Sequence, residues 1–225
     1  MSIKENTQLL IEAAACGNIK DVARLIPISY PKAKDSLALR LAAHDGHTEC
    51  VRLLIPVSRF PTDASLALCE AAKNGRTECV KLLIPVSNPK ADNSVSLRWA
   101  AHAGHSECVK LLIPVSDPKD NDSAALYYAV LNGSIECVKL LLPLSDPKAN
   151  NSAALQRACR NSDATCMDLL YPVSDPHAAL HQLQKDYPDE GNLWGKLEQR
   201  ISHEQSEKLS NEIEETLHTE IKRKM

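Results

Sequence analysis

Apolar and polar positions along this chain repeat on two scales. On the short scale, leucine and alanine stand three residues apart in pairs: Leu10/Ala13, Leu39/Ala42, Leu68/Ala71, Leu97/Ala100, Leu126/Ala129 and Leu155/Ala158. A step of three keeps both residues on one helical face, so each pair predicts the buried stripe of a helix. A second apolar run follows each pair, as in Glu107-Cys-Val-Lys-Leu-Leu-Ile113, and predicts a second, shorter helix. On the long scale, Gly17, Gly46, Gly75, Gly104 and Gly133 are 29 residues apart, and Pro27, Pro56, Pro85, Pro114, Pro143 and Pro172 keep the same step. A fixed period of this size predicts a stack of like structural units, each burying its apolar face on its neighbours.

The punctuation fits two helices per unit. Thr7, Ser36, Ser65, Ser94, Ser123 and Ser152 each precede the leucine by three. A small hydroxyl residue there reads as an N-cap, accepting from the first free N–H groups of the helix that follows. The glycine ends the first helix in the left-handed conformation, and the proline stops the second. Of the 13 prolines, six end second helices, six lie in the connecting loops, and Pro188 is left over.

The segment Ala42-Ala-His-Asp-Gly-His-Thr-Glu-Cys-Val-Arg-Leu-Leu54 resembles the helix pair of the ankyrin repeat. The resemblance implies an all-α helical solenoid of helix-turn-helix repeats. It divides the chain into a lead (1–6), six units (7–35, 36–64, 65–93, 94–122, 123–151, 152–180) and a C-terminal helical extension (181–225). The family's usual repeat is longer, about 33 residues. Here the Thr-Pro-Leu-His opening is replaced by Ser-x-x-Leu, and a Pro-Val-Ser-Asp-Pro loop stands where the family has a β-hairpin.

Composition narrows the function. Net charge is −3; residues 181–225 hold seven Lys/Arg and ten Asp/Glu, which leaves nineteen of each sign before them. A neutral body lacks the basic field that nucleic acid or an anionic membrane surface requires, and neither is expected as a partner. Five of the eight cysteines (Cys50, Cys79, Cys108, Cys137, Cys166) share one repeat position. Helices in a stack lie roughly 8–10 Å apart, whereas a disulfide needs Cα atoms closer than about 7 Å. The cysteine ladder therefore reads as small buried apolar residues in a reducing, cytoplasmic setting. No Cys-x-x-Cys pair, phosphate loop, His-Glu-x-x-His motif or ordered catalytic triad is present, so neither a cofactor nor an enzyme is expected. The second helices carry Glu49/Arg52, Glu78/Lys81, Glu107/Lys110 and Glu136/Lys139, acid before base, as the helix dipole prefers on a solvated outer face.

The positions that vary inside the fixed frame are the candidates for binding. One and two places after the first-helix leucine, and near that helix's end, stand Arg40, His44, Glu70, Lys73, Arg98, Trp99, His102, Tyr127, Tyr128, Leu131 and Arg157. A column that alternates Glu, Trp and Arg cannot fill a core, so at least one column faces solvent. The resemblance implies that this first-helix side is concave and holds a partner protein. Trp99, Tyr127 and Tyr128, flanked by cations, have the composition of an interaction hot spot.

The first unit, with Asp21 and Arg24 at otherwise apolar positions, reads as a cap. After the sixth unit a short helix over 177–185, a turn at 187–191 and a long helix from about 192 are predicted. Its apolar residues Leu193, Leu197 and Ile201 and, after a gap at Gln205, Leu209, Ile213, Leu217 and Ile221 step by four, a stripe that drifts around the helix, which predicts a bend or two segments near 202–207. Residues 193–221 then fold back, dimerise or dock on a partner. The leading expectation is a protein-interaction module acting as inhibitor, adaptor or scaffold. Two alternatives stand beside it. One is an effector-type protein of bacterial or viral kind, acting in a host cytoplasm, because Glu212–Glu220 is similar to the acidic C-terminal signals of effectors exported by type IV secretion. The other is a structural protein that self-assembles through its last helix.

Overall fold

In the computed structural model, residues 2–59 and 61–224 are described. They are helical and form two compact units, divided after Asp146.

The first unit holds five helix pairs: α1 (Ile3–Ala15) with α2 (Ile19–Leu25), α3 (Ala33–Asp45) with α4 (Thr48–Leu54), α5 (Thr62–Lys73) with α6 (Thr77–Leu83), α7 (Ala91–His102) with α8 (Ser106–Leu112), and α9 (Asp120–Leu131) with α10 (Ile135–Leu141). The longer helices pack in one row, α1 on α3 on α5 on α7 on α9, and the shorter ones in a second, α2 on α4 on α6 on α8 on α10. The predicted leucines and alanines form the interior. The twelve largest fully buried side chains of the chain are all leucines, one per helix from Leu10 and Leu25 through Leu155 and Leu170. Alanine beside them lets the first-helix row approach closely. α1 begins at Ile3, inside the segment read as a polar lead, because Ser2 and Glu5 close a capping box there.

The second helices do not stop at their prolines. Each tightens first into a three-residue 3-10 turn, such as Ile84–Val86 around Pro85, whose bonding pattern tolerates the missing N–H. No strand occurs among the described residues, and each loop runs directly into the next first helix.

The hydroxyl column does something other than capping. Ser94 Oγ accepts from the N–H of Asp117 (3.0 Å) and donates to Asp120 Oδ2 (2.5 Å). Thr7, Ser65 and Ser123 likewise accept from the N–H 23 residues on, at Tyr30, Asn88 and Asp146. The expected N-cap bond within the helix is replaced by a clasp that closes each unit's loop onto its own first helix. In α3, α7 and α9 the residues leading to that hydroxyl take a left-handed turn, for instance Asp92, Asn93 and Ser94 at φ 48°, 55° and 53°, a conformation Asn and Asp enter more readily than most residues. Ser36 is the exception. It donates to Asp63, and the N–H of Arg59 also turns to that carboxylate.

The second unit comprises α11 (Ala149–Arg160), α12 (Ala164–Leu170), α13 (Pro176–Asp186) and α14 (Gly191–Lys224). Ser152 holds the N–H of Asp175 in the same clasp. α14 packs on α11 and α13, burying Leu197 and Ile201, while the Trp194 indole N–H donates to the Tyr187 carbonyl (3.3 Å). The helix is continuous for 34 residues, so it is not divided into two segments near 202–207. Leu209 and Ile213 stand exposed, and the side chains of Leu217 and Ile221 lie outside the described residues.

Candidate functional site

The exposed face of the first-helix row in the first unit carries the varied residues. From the second pair onward all three variable columns reach solvent, because α3, α5 and α7 are each flanked by two other first helices and leave one strip free. Arg40 Nη2 donates to Glu70 Oε1 (3.3 Å) across adjacent helices, and Arg40 Nε is buried without a partner. His44 Nδ1 meets Asp45 Oδ1 at 2.8 Å.

Further along the row the aromatics gather. Lys73 Nζ lies over the Trp99 ring at 4.7 Å. His102 stands edge-on to both Trp99 and Tyr128, each at 5.5 Å between ring centres, and Tyr128 meets Tyr127 edge-on at 5.7 Å. These are the offset geometries that ring quadrupoles favour. Their order follows from the repeat: Trp99 and His102 are three apart on α7, and Tyr128 occupies Trp99's place on α9. Trp99 is 37% exposed, so a large apolar surface is held half open. Arg98 donates to the carbonyls of Asp92 (2.8 Å) and Asn93 (3.1 Å), which fixes its guanidinium at the rim. Val95, Arg98, Trp99, His102 and Tyr128 line a cleft of about 320 Å³.

Six of the predicted residues (Lys73, Arg98, Trp99, His102, Tyr127 and Tyr128) touch one another or share this cleft; Arg40 and Glu70 form a separate pair, His44 stands apart, and Leu131 closes α9 half-buried. Arg157 belongs to the second unit, half-buried with its Nε lacking a partner. Sequence reasoning missed Val95 and Leu66. The signal was there: the place after the hydroxyl is apolar in Leu37, Leu66 and Val95 and small in the units that follow.

The remaining titratable groups serve the frame. Burial raises the thiols of the cysteine ladder, Cys137 to about 11 and Cys166 to about 12. Burial alone would raise Asp63 too, but hydrogen bonds from Ser36 and Arg59 and the guanidinium charge outweigh it and hold the carboxyl below its usual range. In the second unit, burial and the neighbouring Glu204 carboxylate push Tyr171 up to about 12; its hydroxyl donates to Glu204 (2.6 Å) and Arg200 lies over its ring. Among the described residues no group of three His, Cys, Asp or Glu is placed to hold a metal, and no helix is long and apolar enough to cross a membrane.

Two rows of antiparallel helix pairs, stacked at a 29-residue step, define a helical-repeat protein. A family model for ankyrin repeats (3 copies) matches residues 10–96 and 97–179, and the chain belongs to the ankyrin-repeat family. Among solved structures it is similar to the human ASB11 ankyrin repeat domain, with a TM-score of 0.59 and 23% identity over 73% of this chain and 82% of that one; the likeness is one of fold. A search of curated proteins found no match. Ankyrin repeats in general are non-enzymatic protein–protein interaction modules.

Proposed function

We propose that this chain binds a partner protein through the exposed face of its first-helix row, centred on Trp99, His102 and Tyr128, and acts as an inhibitor, adaptor or scaffold. The observation that carries this is the half-open aromatic cluster, braced edge-on and rimmed by Lys73 and Arg98. A solenoid has no need of such a cluster for its own core, which leucine and alanine already fill. Rigid aromatics beside cations on an open surface are what interaction hot spots are made of. Arg40, Glu70, Tyr127 and Leu131 extend the surface along the row.

The test compares capture from source lysate by the full-length protein and by Trp99→Ala/Tyr128→Ala, both with matched melting curves. A protein held by the first and lost by the second supports the reading. Equal retention by both moves the site elsewhere on the molecule, and α14 is the second place to look, because Leu209 and Ile213 are exposed on it. Light scattering of the full chain against a 1–190 truncation separates a docking helix from a dimerising one.

A further inference from the structure

The aromatic cleft has a neighbour on the other side of α7. A second depression of about 460 Å³ lies between α5 and α7, with Leu66, Cys69 and Asp92 in its lining. Val95 lines both hollows and forms the saddle between them. Cations stand beside both hollows. Among the described residues Arg98 is the one permanently charged side chain lining the aromatic cleft; its guanidinium donates to the backbone carbonyls of Asp92 and Asn93, and Lys73 adds a second cation above Trp99. The nearby carboxylate of Glu70 is taken by Arg40. Asp92 lines the second hollow, and its backbone carbonyl accepts from Arg98, so that cation stands between the two hollows.

From this we infer that the two hollows form one groove for an extended acidic segment of a partner protein. A large apolar side chain enters the aromatic cleft, an Asp or Glu beside it faces Lys73 and Arg98, and a second apolar side chain crosses Val95 to reach Leu66. The inference rests on the binding face proposed above and adds the class of ligand. The spacing follows from geometry. Neighbouring helix axes lie roughly 8–10 Å apart, and an extended chain advances about 3.3–3.6 Å per residue, so the two apolar anchors are two or three residues apart.

The experiment selects a displayed library of random dodecapeptides on the full-length protein, with counter-selection on Trp99→Ala/Tyr128→Ala. The expected winners carry two large apolar residues two or three apart, with Asp or Glu next to one of them. A synthetic winner should bind Lys73→Glu at least tenfold more weakly and should weaken as salt is raised. Lys73 is exposed, and matched melting curves of parent and variant are required before the two are compared. Winners rich in Lys or Arg, or winners indifferent to Lys73→Glu, overturn the acidic segment while leaving the face intact as a binding surface. Winners that the double variant retains, or displacement of the peptide by a decathymidylate, overturn the groove as a peptide site.

Discussion

The ring of His47 stands where a side chain on Gly17 would have to go. A Cβ on Gly17 would lie 2.5 Å from His47 Nδ1, and Gly17 itself is at φ +71°. From that position His47 Nε2 donates to the carbonyl of Ala15 (2.9 Å), one of the last carbonyls of α1, which the helix leaves unbonded. The relation recurs one unit on with different chemistry. Arg76 covers Gly46 and its Nε donates to the carbonyl of His44 (2.9 Å). His105 covers Gly75, and Ser134 covers Gly104. The glycine of each of the first four units is therefore two things at once, a left-handed turn and the floor on which the next unit's polar residue rests.

Gly17→Ala should be costly for both reasons. The left-handed conformation costs an alanine about 1–2 kcal/mol, and the His47 ring must also move. A fall of about 2 kcal/mol in urea unfolding is expected, partly relieved when His47→Ala is added. Gly195 is the internal control: a Cβ there meets nothing within 4 Å, and it lies inside α14. Gly195→Ala should stabilise by about 0.5–1 kcal/mol through helix entropy alone. If both substitutions have the same sign, the close approach of His47 is not what constrains Gly17.

Ser94 joins the loop of its own unit to the start of the next helix through two bonds made by one buried oxygen. Ser94→Ala should leave the Asp117 N–H unsatisfied, at about 1–3 kcal/mol. Amide exchange should show the effect first at Asp117. An unchanged protection factor there would mean that the clasp does not hold the loop.

This clasp also marks where the sequence stopped being legible. The leucine and alanine columns could be read because their partners recur at helical spacing, and Leu39, Leu68 and Leu97 are buried as the pattern requires. Ser94 fits the local signature of a cap equally well, but its bond goes to a residue 23 positions away, which no local pattern reveals. The aromatic site was half legible. Variation at Trp99 and Tyr128 showed that the column is not core, whereas the contributions of Val95 and Leu66 depend on how α5, α7 and α9 lie side by side. In α14 the four-residue step suggested a bend or a break into two segments, but the helix runs on unbroken past Ile201, the last of its buried apolar residues among those described.

Asp63 links stability to pH. Its carboxyl is fully buried and bound by Ser36 and by Arg59, which also reaches Asp35. Its folded pKa is depressed, so its contribution is complete above the unfolded value, about 3.9, and is lost as pH falls through the lower folded value. Asp63→Asn should lower the melting temperature at pH 7 and flatten its dependence between about pH 4 and pH 2 relative to the parent. Parallel curves for the two proteins would show that another carboxyl governs the acid limb.

Thiol labelling should sort the cysteines by burial. Cys16 is exposed, whereas Cys50, Cys79, Cys108, Cys137 and Cys166 are buried. Since the thiolate is the reactive form, a thiol raised to about 12, as at Cys166, is slow at neutral pH even when reached. Maleimide at pH 7 should therefore modify Cys16 rapidly in the native protein and the ladder only after urea is added, with Cys16→Ser removing the fast phase. Rapid modification of a ladder cysteine in the native state would mean that the stack opens locally there.

Trp99 and Leu97 lie two residues apart on α7 and should answer oppositely to truncation. Leu97 is fully buried between neighbouring units, so Leu97→Ala should cost about 2–5 kcal/mol from lost transfer energy and the cavity left behind. Trp99 keeps 37% of its surface exposed and touches Lys73 and His102 by its ring alone. Each ring contact is worth about 0.5–1.5 kcal/mol beyond area burial, so Trp99→Ala should cost well under the loss at Leu97. The comparison is made by urea unfolding of both variants, followed by circular dichroism. A loss at Trp99 as large as that at Leu97 would mean that the indole is a structural plug, and the binding face would then have to be rebuilt around Tyr128. A small loss leaves Trp99 free to be judged by binding alone, because an exposed indole that stabilises its own fold little is available to a partner.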